Sequence, residues 1–176
     1  FVVAQLPSMA ANNHGRPVIR VRQREVAKRL PHVCAANITD TGWKDDVHPH
    51  DKKPVGERLA HAARRHVYGD TSCSRTPEFA SATFRPGRAV VAFTADTPLR
   101  ARGEGVGRGF ELKVGGTWRP AAKAELVGGT VVVTSEGADD AVEGVRYLWD
   151  SWDKPNVWLY DEQGIPVNSF SEPFEI

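Results

Sequence analysis

Methionine occurs once and cysteine twice among 176 residues. No Cys/His quartet stands at ligand spacing, which leaves a structural zinc site without a ligand set. Cys34 and Cys73 allow one disulfide. The favoured reading is a buried thiol in a strand at Cys34 and an exposed one in a loop at Cys73. Neither charge is in surplus, with 23 Lys and Arg against 22 Asp and Glu, so nothing points to nucleic acid as the main partner. No apolar run approaches the length of a membrane span, and the first residues do not read as a signal peptide. A nucleophile turn is missing too. None of Ser8, Ser72, Ser74, Ser81, Ser135, Ser151, Ser169 and Ser171 stands in Gly-x-Ser-x-Gly or in Gly-x-Ser-Asn, and each reads as a solvated or turn serine. The glycine-rich stretch from Gly103 to Gly109 has no helix after it and no Gly-Lys-Ser/Thr, so a hairpin or loop is preferred to a phosphate cradle.

What remains is a chain of ordinary globular composition, 40% apolar and 26% charged. Phe1 to Leu6 reads as a buried strand already under way, implying a preceding part lost by cleavage or left out. Pro17 suits the first turn of a helix running to Leu30, before Pro31. Within that helix Ile19, Val26 and Leu30 recur at helical spacing, and the arginine-rich remainder from Arg16 to Arg29 reads as a solvated face. Val33 to Ile38 has the length of a strand. A second helix opens near Asp51 as N-cap and carries Val55, Leu59, Ala63 and Val67 on one stripe before Gly69. Strand, helix, strand, helix is the grammar of a parallel sheet covered by helices. Residues 1–69 are therefore expected to close an α/β domain whose other strands lie elsewhere. From residue 70 the composition changes to short β-rich runs with hairpin signals at Pro86-Gly87 and Gly128-Gly129, so residues 70–176 are expected to form an all-β, sandwich-like domain.

The chemistry concentrates in Asp45-Asp46-Val47-His48-Pro49-His50-Asp51. Imidazole is the side chain that titrates nearest neutrality, and a carboxylate two or three residues upstream on a loop can fold back onto it and fix its tautomer. His48 with Asp45 or Asp46 is thus a candidate acid–base pair. The alternative is a helix N-terminus enriched in acids beside a surface histidine. His48 and His50 also form an H-x-H pair that Asp46 or His14 would have to complete as a metal site. Trp149, Trp152, Trp158 and Tyr160 cluster near the end. They fit a sandwich core better than a sugar-stacking surface.

Several blocks together resemble a known family. Asn37-Ile38-Thr39-Asp40-Thr41-Gly42, Asp46-Val47-His48-Pro49-His50-Asp51-Lys52 and Val55-Gly56-Glu57-Arg58-Leu59-Ala60 resemble the last block of the sialate O-acetylesterases, which are SGNH (GDSL-like) hydrolases. Phe1 to Leu6 resembles the family's preceding core strand, and Arg20-Val21-Arg22-Gln23 the helix after it. Downstream, Phe110-Glu111-Leu112, Val145-Arg146-Tyr147-Leu148-Trp149, Asn156-Val157-Trp158-Leu159-Tyr160, Gly164-Ile165-Pro166 and Pro173-Phe174 resemble its closing signature. The resemblance implies the end of a flavodoxin-like, three-layer parallel-sheet domain followed by the β-rich one. It implies a serine esterase, without cofactor, that removes acetyl groups from sugar hydroxyls, acting on sialic acid or on acetylated xylan. His48 matches the general base. Asp45 matches the acid three residues before it and ranks ahead of Asp46, and Asp40 matches a recurrent acidic position. The family's Gly-x-Ser-Asn nucleophile block and oxyanion donors would precede Phe1. The serine would then come from a companion or cleaved chain, and the enzyme would be secreted, periplasmic or lysosomal. A non-catalytic carbohydrate-binding or assembly subunit is the reading from another class.

Overall fold

A computed structural model describes residues 1–10, 15–103 and 107–175. The first part holds strand β1 (Val2–Ala4), helix α1 (Gly15–Arg29), strand β2 (Cys34–Ala36), a 3-10 turn (Thr39–Thr41) and helix α2 (Lys53–His66). β1 and β2 pair in parallel with Val2 opposite Cys34. Then come β3 (Glu78–Arg85), β4 (Arg88–Thr94), β5 (Leu99–Ala101), β6 (Phe110–Val114), β7 (Thr117–Pro120), β8 (Lys123–Val127), β9 (Thr130–Thr134), β10 (Val142–Tyr147), β11 (Leu159–Asp161) and β12 (Phe170–Glu172), with a 3-10 turn at Lys154–Asn156 between β10 and β11.

The flavodoxin-like, three-layer parallel sheet expected from the sequence is not what these residues form. Apart from the three-residue pairing of β1 with β2, every described sheet is antiparallel: β3-β4-β9-β8, β12-β10-β6-β7 and β11-β5. The physical reason is connection length. A parallel neighbour needs a crossover of a dozen or more residues, whereas a two-residue loop joins only antiparallel strands. Helix α1 supplies one such crossover, between β1 and β2. After α2 the chain turns back through Pro86-Gly87 into β4 and through Gly128-Gly129 into β9. Gly128 and Gly129 have φ of 56° and 85°, the left-handed backbone that a type I′ hairpin requires.

The two four-stranded sheets pack their inner faces into one apolar cluster. Ala89, Val91, Val131 and Val133 come from one sheet, and Phe110, Leu112, Val145, Tyr147 and Phe170 from the other. Trp158 and Tyr160 join this cluster and Trp149 is buried beside it, while Trp152 is half-buried. At roughly 1.5–3 kcal/mol for each buried large aliphatic or Phe side chain, this core carries most of the hydrophobic stabilisation. The α part has a far smaller core of Cys34, Ala36 and Ala62, flanked by Val2 and Leu59.

That imbalance explains what α1 does. The sequence pattern put Ile19, Val26 and Leu30 inside and the arginines in water; the structure reverses this for the three apolar residues and for Arg20, while Arg22 and Arg29 are exposed as expected. Ile19, Val26 and Leu30 are 47%, 50% and 52% exposed, and Arg20 is buried. The Arg20 guanidinium reaches into the β part, donating to Asp153 Oδ2 at 2.7 Å, Leu148 O at 3.1 Å, Asp150 O at 3.2 Å and Ser169 Oγ at 3.2 Å. Arg24 follows one turn later, donating to Ser169 O at 3.0 Å. With little apolar surface to bury, the α part is held to the sandwich by directed polar bonds instead. Asn37 Nδ2 to Pro166 O at 3.0 Å and His61 Nε2 to Ser74 O at 2.8 Å continue the same seam. Both cysteines are free and buried, so the exposed thiol expected at Cys73 is corrected. Burial raises the Cys34 thiol above its ordinary value.

Candidate functional site

The loop between β2 and α2 leaves the sheet at the carboxyl end of β2 and carries the acid–imidazole sequence. Gly42 anchors its start. A Cβ there would stand 1.7 Å from Ser8 O, so the two backbones touch and only glycine fits. Ser8 N donates to Thr39 O at 3.3 Å and Ala10 N to Lys44 O at 2.8 Å, lashing the two segments together. Ser8 is wholly buried rather than solvated, and its Oγ finds no partner among the described residues. Gly42→Ala is expected to lower unfolding stability by about 1–3 kcal/mol through this clash. The check is a shifted urea midpoint at unchanged slope.

From there the spacing of the block does the work. Asp46 Oδ1 accepts both the backbone N–H of His48 and, from its ring, Nδ1, each at 2.8 Å. This is an Asx-type closure, in which an aspartate bonds the backbone two residues on. Asp46 O also accepts the Trp43 N–H at 3.2 Å, closing the loop. The hydrogen bonds from His48, backbone first and ring second, hold the Asp46 carboxyl below the ordinary carboxylate range. An ionised carboxylate only accepts, so His48 Nδ1 carries a proton, and in the neutral ring Nε2 carries the lone pair. Nε2 makes no hydrogen bond among the described residues. The His48 side chain is 79% exposed, so that lone pair faces outward.

The other candidates fall elsewhere. Asp45 is exposed and pairs with nothing among the described residues; the carboxylate brought to His48 is Asp46, two residues before it. Asp40 is held away from the imidazole by Arg58, which grips it with both terminal nitrogens, Nη2 at 2.7 Å from Oδ2, and by the Tyr160 hydroxyl, which donates at 3.1 Å. Burial, with Asp40 beside it, raises the Tyr160 phenol above its ordinary range, so the hydroxyl stays a donor. Asp40 ties the α part to the β part. His50 Nε2 lies 3.5 Å from Asp46 Oδ2, yet among the described residues no three His, Cys, Asp or Glu gather as a metal site, and His14 lies outside them.

Sequence reasoning missed what surrounds the loop. His50 stacks on Trp43 with centroids 4.6 Å apart, and Lys154 of the β part donates to Gly42 O at 2.8 Å with Nζ 5.3 Å from the Trp43 ring. Lys154 is 112 residues from Gly42, and no local signal marks it. A cleft of about 450 Å³ opens between α1, the start of β2 and β3, but none of Asp46, His48 or His50 lines it.

The chain is similar over 97% of its length to a solved carbohydrate acetylesterase from Xanthomonas citri, with 32% identity and a TM-score of 0.84. It spans 40% of that protein's length. No protein-family model matches the chain, and no curated protein matches it. Among the described residues no helix is long and apolar enough to cross a membrane.

Proposed function

We propose that this chain is the acid–base portion of a carbohydrate O-acetylesterase of the sialate O-acetylesterase kind, with residues 1–69 carrying the reactive loop and residues 70–176 an accessory β part. The observation that carries the reading is the 2.8 Å contact between His48 Nδ1 and Asp46 Oδ1, which leaves Nε2 as an outward-facing base. Likeness over 97% of this chain's length to a carbohydrate acetylesterase, of which it spans 40%, supports the reading. In this proposal the serine is supplied from outside these residues, because no nucleophile turn stands within them.

The chemistry follows from those positions. His48 Nε2 takes the proton as the serine oxygen bonds to the acetyl carbonyl carbon, and Asp46 stabilises the imidazolium that results. The tetrahedral oxyanion collapses, the sugar oxygen leaves with the proton from His48, and the acetyl group stays on serine. His48 then takes a proton from water, the hydroxide attacks the acyl-enzyme, and acetate leaves as the serine recovers its proton. Asp46 fills the acid role ahead of Asp45, because it is the carboxylate in contact. Acetylated sialic acid is the first substrate to test and acetylated xylan the second, in a secreted, periplasmic or lysosomal setting.

A fluorophosphonate probe, applied to the complete esterase, is expected to label one serine outside these 176 residues. Acetate release should disappear with labelling. An unlabelled protein that binds acetylated sugar without hydrolysing it would replace this reading with a carbohydrate-binding or assembly subunit.

A further inference from the structure

Resting on that reading, we infer that the β part is a positioning element of the reactive pair, acting through Lys154, Trp43 and His50. The contacts form one continuous chain. The Lys154 ammonium donates to Gly42 O and lies near the Trp43 ring; Trp43 stacks on His50; His50 Nε2 faces Asp46 Oδ2; and Asp46 Oδ1 holds His48.

Each link removes a freedom that the loop would otherwise have. His48 is largely open to water and Asp46 partly so, and a solvent-accessible pair of this kind holds one geometry weakly on its own. A carboxylate can rotate about its terminal bond and exchange oxygens. With Oδ2 facing His50, Oδ1 is the oxygen left for His48. His50 is in turn fixed by its stack on Trp43, and Trp43 by Lys154. Lys154 does not drift, because it opens the 3-10 turn whose preceding residue, Asp153, is the buried partner of Arg20. The reactive loop is thereby referenced to the rigid sandwich core. Lys154, Trp43 and His50 are positioning residues, since none bears on the reacting atoms except through Asp46.

The test separates positioning from general stability and from the esterase reading itself. The tautomer of His48 is read from ¹⁵N ring shifts in this chain alone, under conditions where the ring is neutral. The wild type should show Nδ1–H as the dominant form. Lys154→Met and Trp43→Leu should each shift the ring to a mixture with Nε2–H, while Lys154→Arg and Trp43→Phe, which keep a cation and a ring, should restore the wild-type spectrum at matched thermal midpoints. In the complete esterase the first two variants should lose about tenfold in kcat with little change in KM. An unchanged tautomer in both Lys154→Met and Trp43→Leu overturns the inference and leaves the esterase reading standing. A serine that no probe labels removes the esterase reading and leaves the tautomer result intact.

Discussion

Acetate release by the complete esterase is expected to fall on the order of 10⁴-fold in His48→Ala, with the fold intact. The side chain is exposed and, among the described residues, its ring bonds only to Asp46, so removing it leaves no buried cavity. Asp46→Asn should come next in size. An amide at that position can present its NH₂ to the ring and favour the wrong tautomer, the effect that costs other acid–histidine pairs most of their rate. Asp45→Asn should change kcat little, because Asp45 touches neither imidazole. Steady-state assays on an acetylated sugar decide all three. Hydrolysis that survives His48→Ala would end the assignment, and a large loss in Asp45→Asn with none in Asp46→Asn would return the acid role to Asp45.

Arg20→Met should be the most destabilising change in the α part, by about 3–5 kcal/mol, because it strands a buried carboxylate. Arg20 and Asp153 have side chains only 2% and 3% exposed. Burial pushes the Asp153 carboxyl up to about 7 despite the pull of Arg20. Without Arg20 it should rise further, since the opposing charge and its hydrogen bond are gone. The sign of the pH dependence follows. An acid whose folded-state pKa is raised contributes stability that is full below its unfolded value near 4 and lost as pH rises through the folded value. The wild type loses that contribution up to about pH 7, and the variant goes on losing it above. The gap between them should therefore be wider at about pH 9 than at about pH 6. Urea unfolding at both pH values measures it. A gap that narrows with rising pH would show that Asp153 does not titrate as its burial demands. The double change Arg20→Met with Asp153→Leu should recover much of the loss, because two apolar side chains leave no charge stranded.

Both predictions turn on residues that a sequence reads very differently. His48 is legible because carboxylates stand two and three positions upstream, though the resemblance ranks Asp45 first and the Asx closure selects Asp46. Arg20 is not legible. Its helix has apolar residues at helical spacing on one face and arginines on the others, the ordinary pattern of a core-facing stripe with a solvated back. The inversion arises because the surface α1 packs against is lined with carbonyls and a carboxylate from Leu148, Asp150, Asp153 and Ser169, more than a hundred residues away. No periodicity in a helix reports what its partner surface will ask of it.

The sequence by itself determined the features that close within a few residues. These are the acid–histidine block as a candidate pair, the Gly128-Gly129 hairpin and the helix spanning Lys53–His66 after Asp51, whose Oδ1 accepts the first helical N–H at 3.0 Å. Their hydrogen bonds join neighbours in the chain, so residue identity and spacing suffice. Tertiary structure alone decided that strands distant in the chain pair, as β4 does with β9, β6 with β10 and β5 with β11, that Asp40 belongs to Arg58 and Tyr160 rather than to the imidazole, and that Lys154 donates to Gly42 O. Each of these depends on which distant surfaces meet, and that is set by how the sandwich core buries its apolar faces.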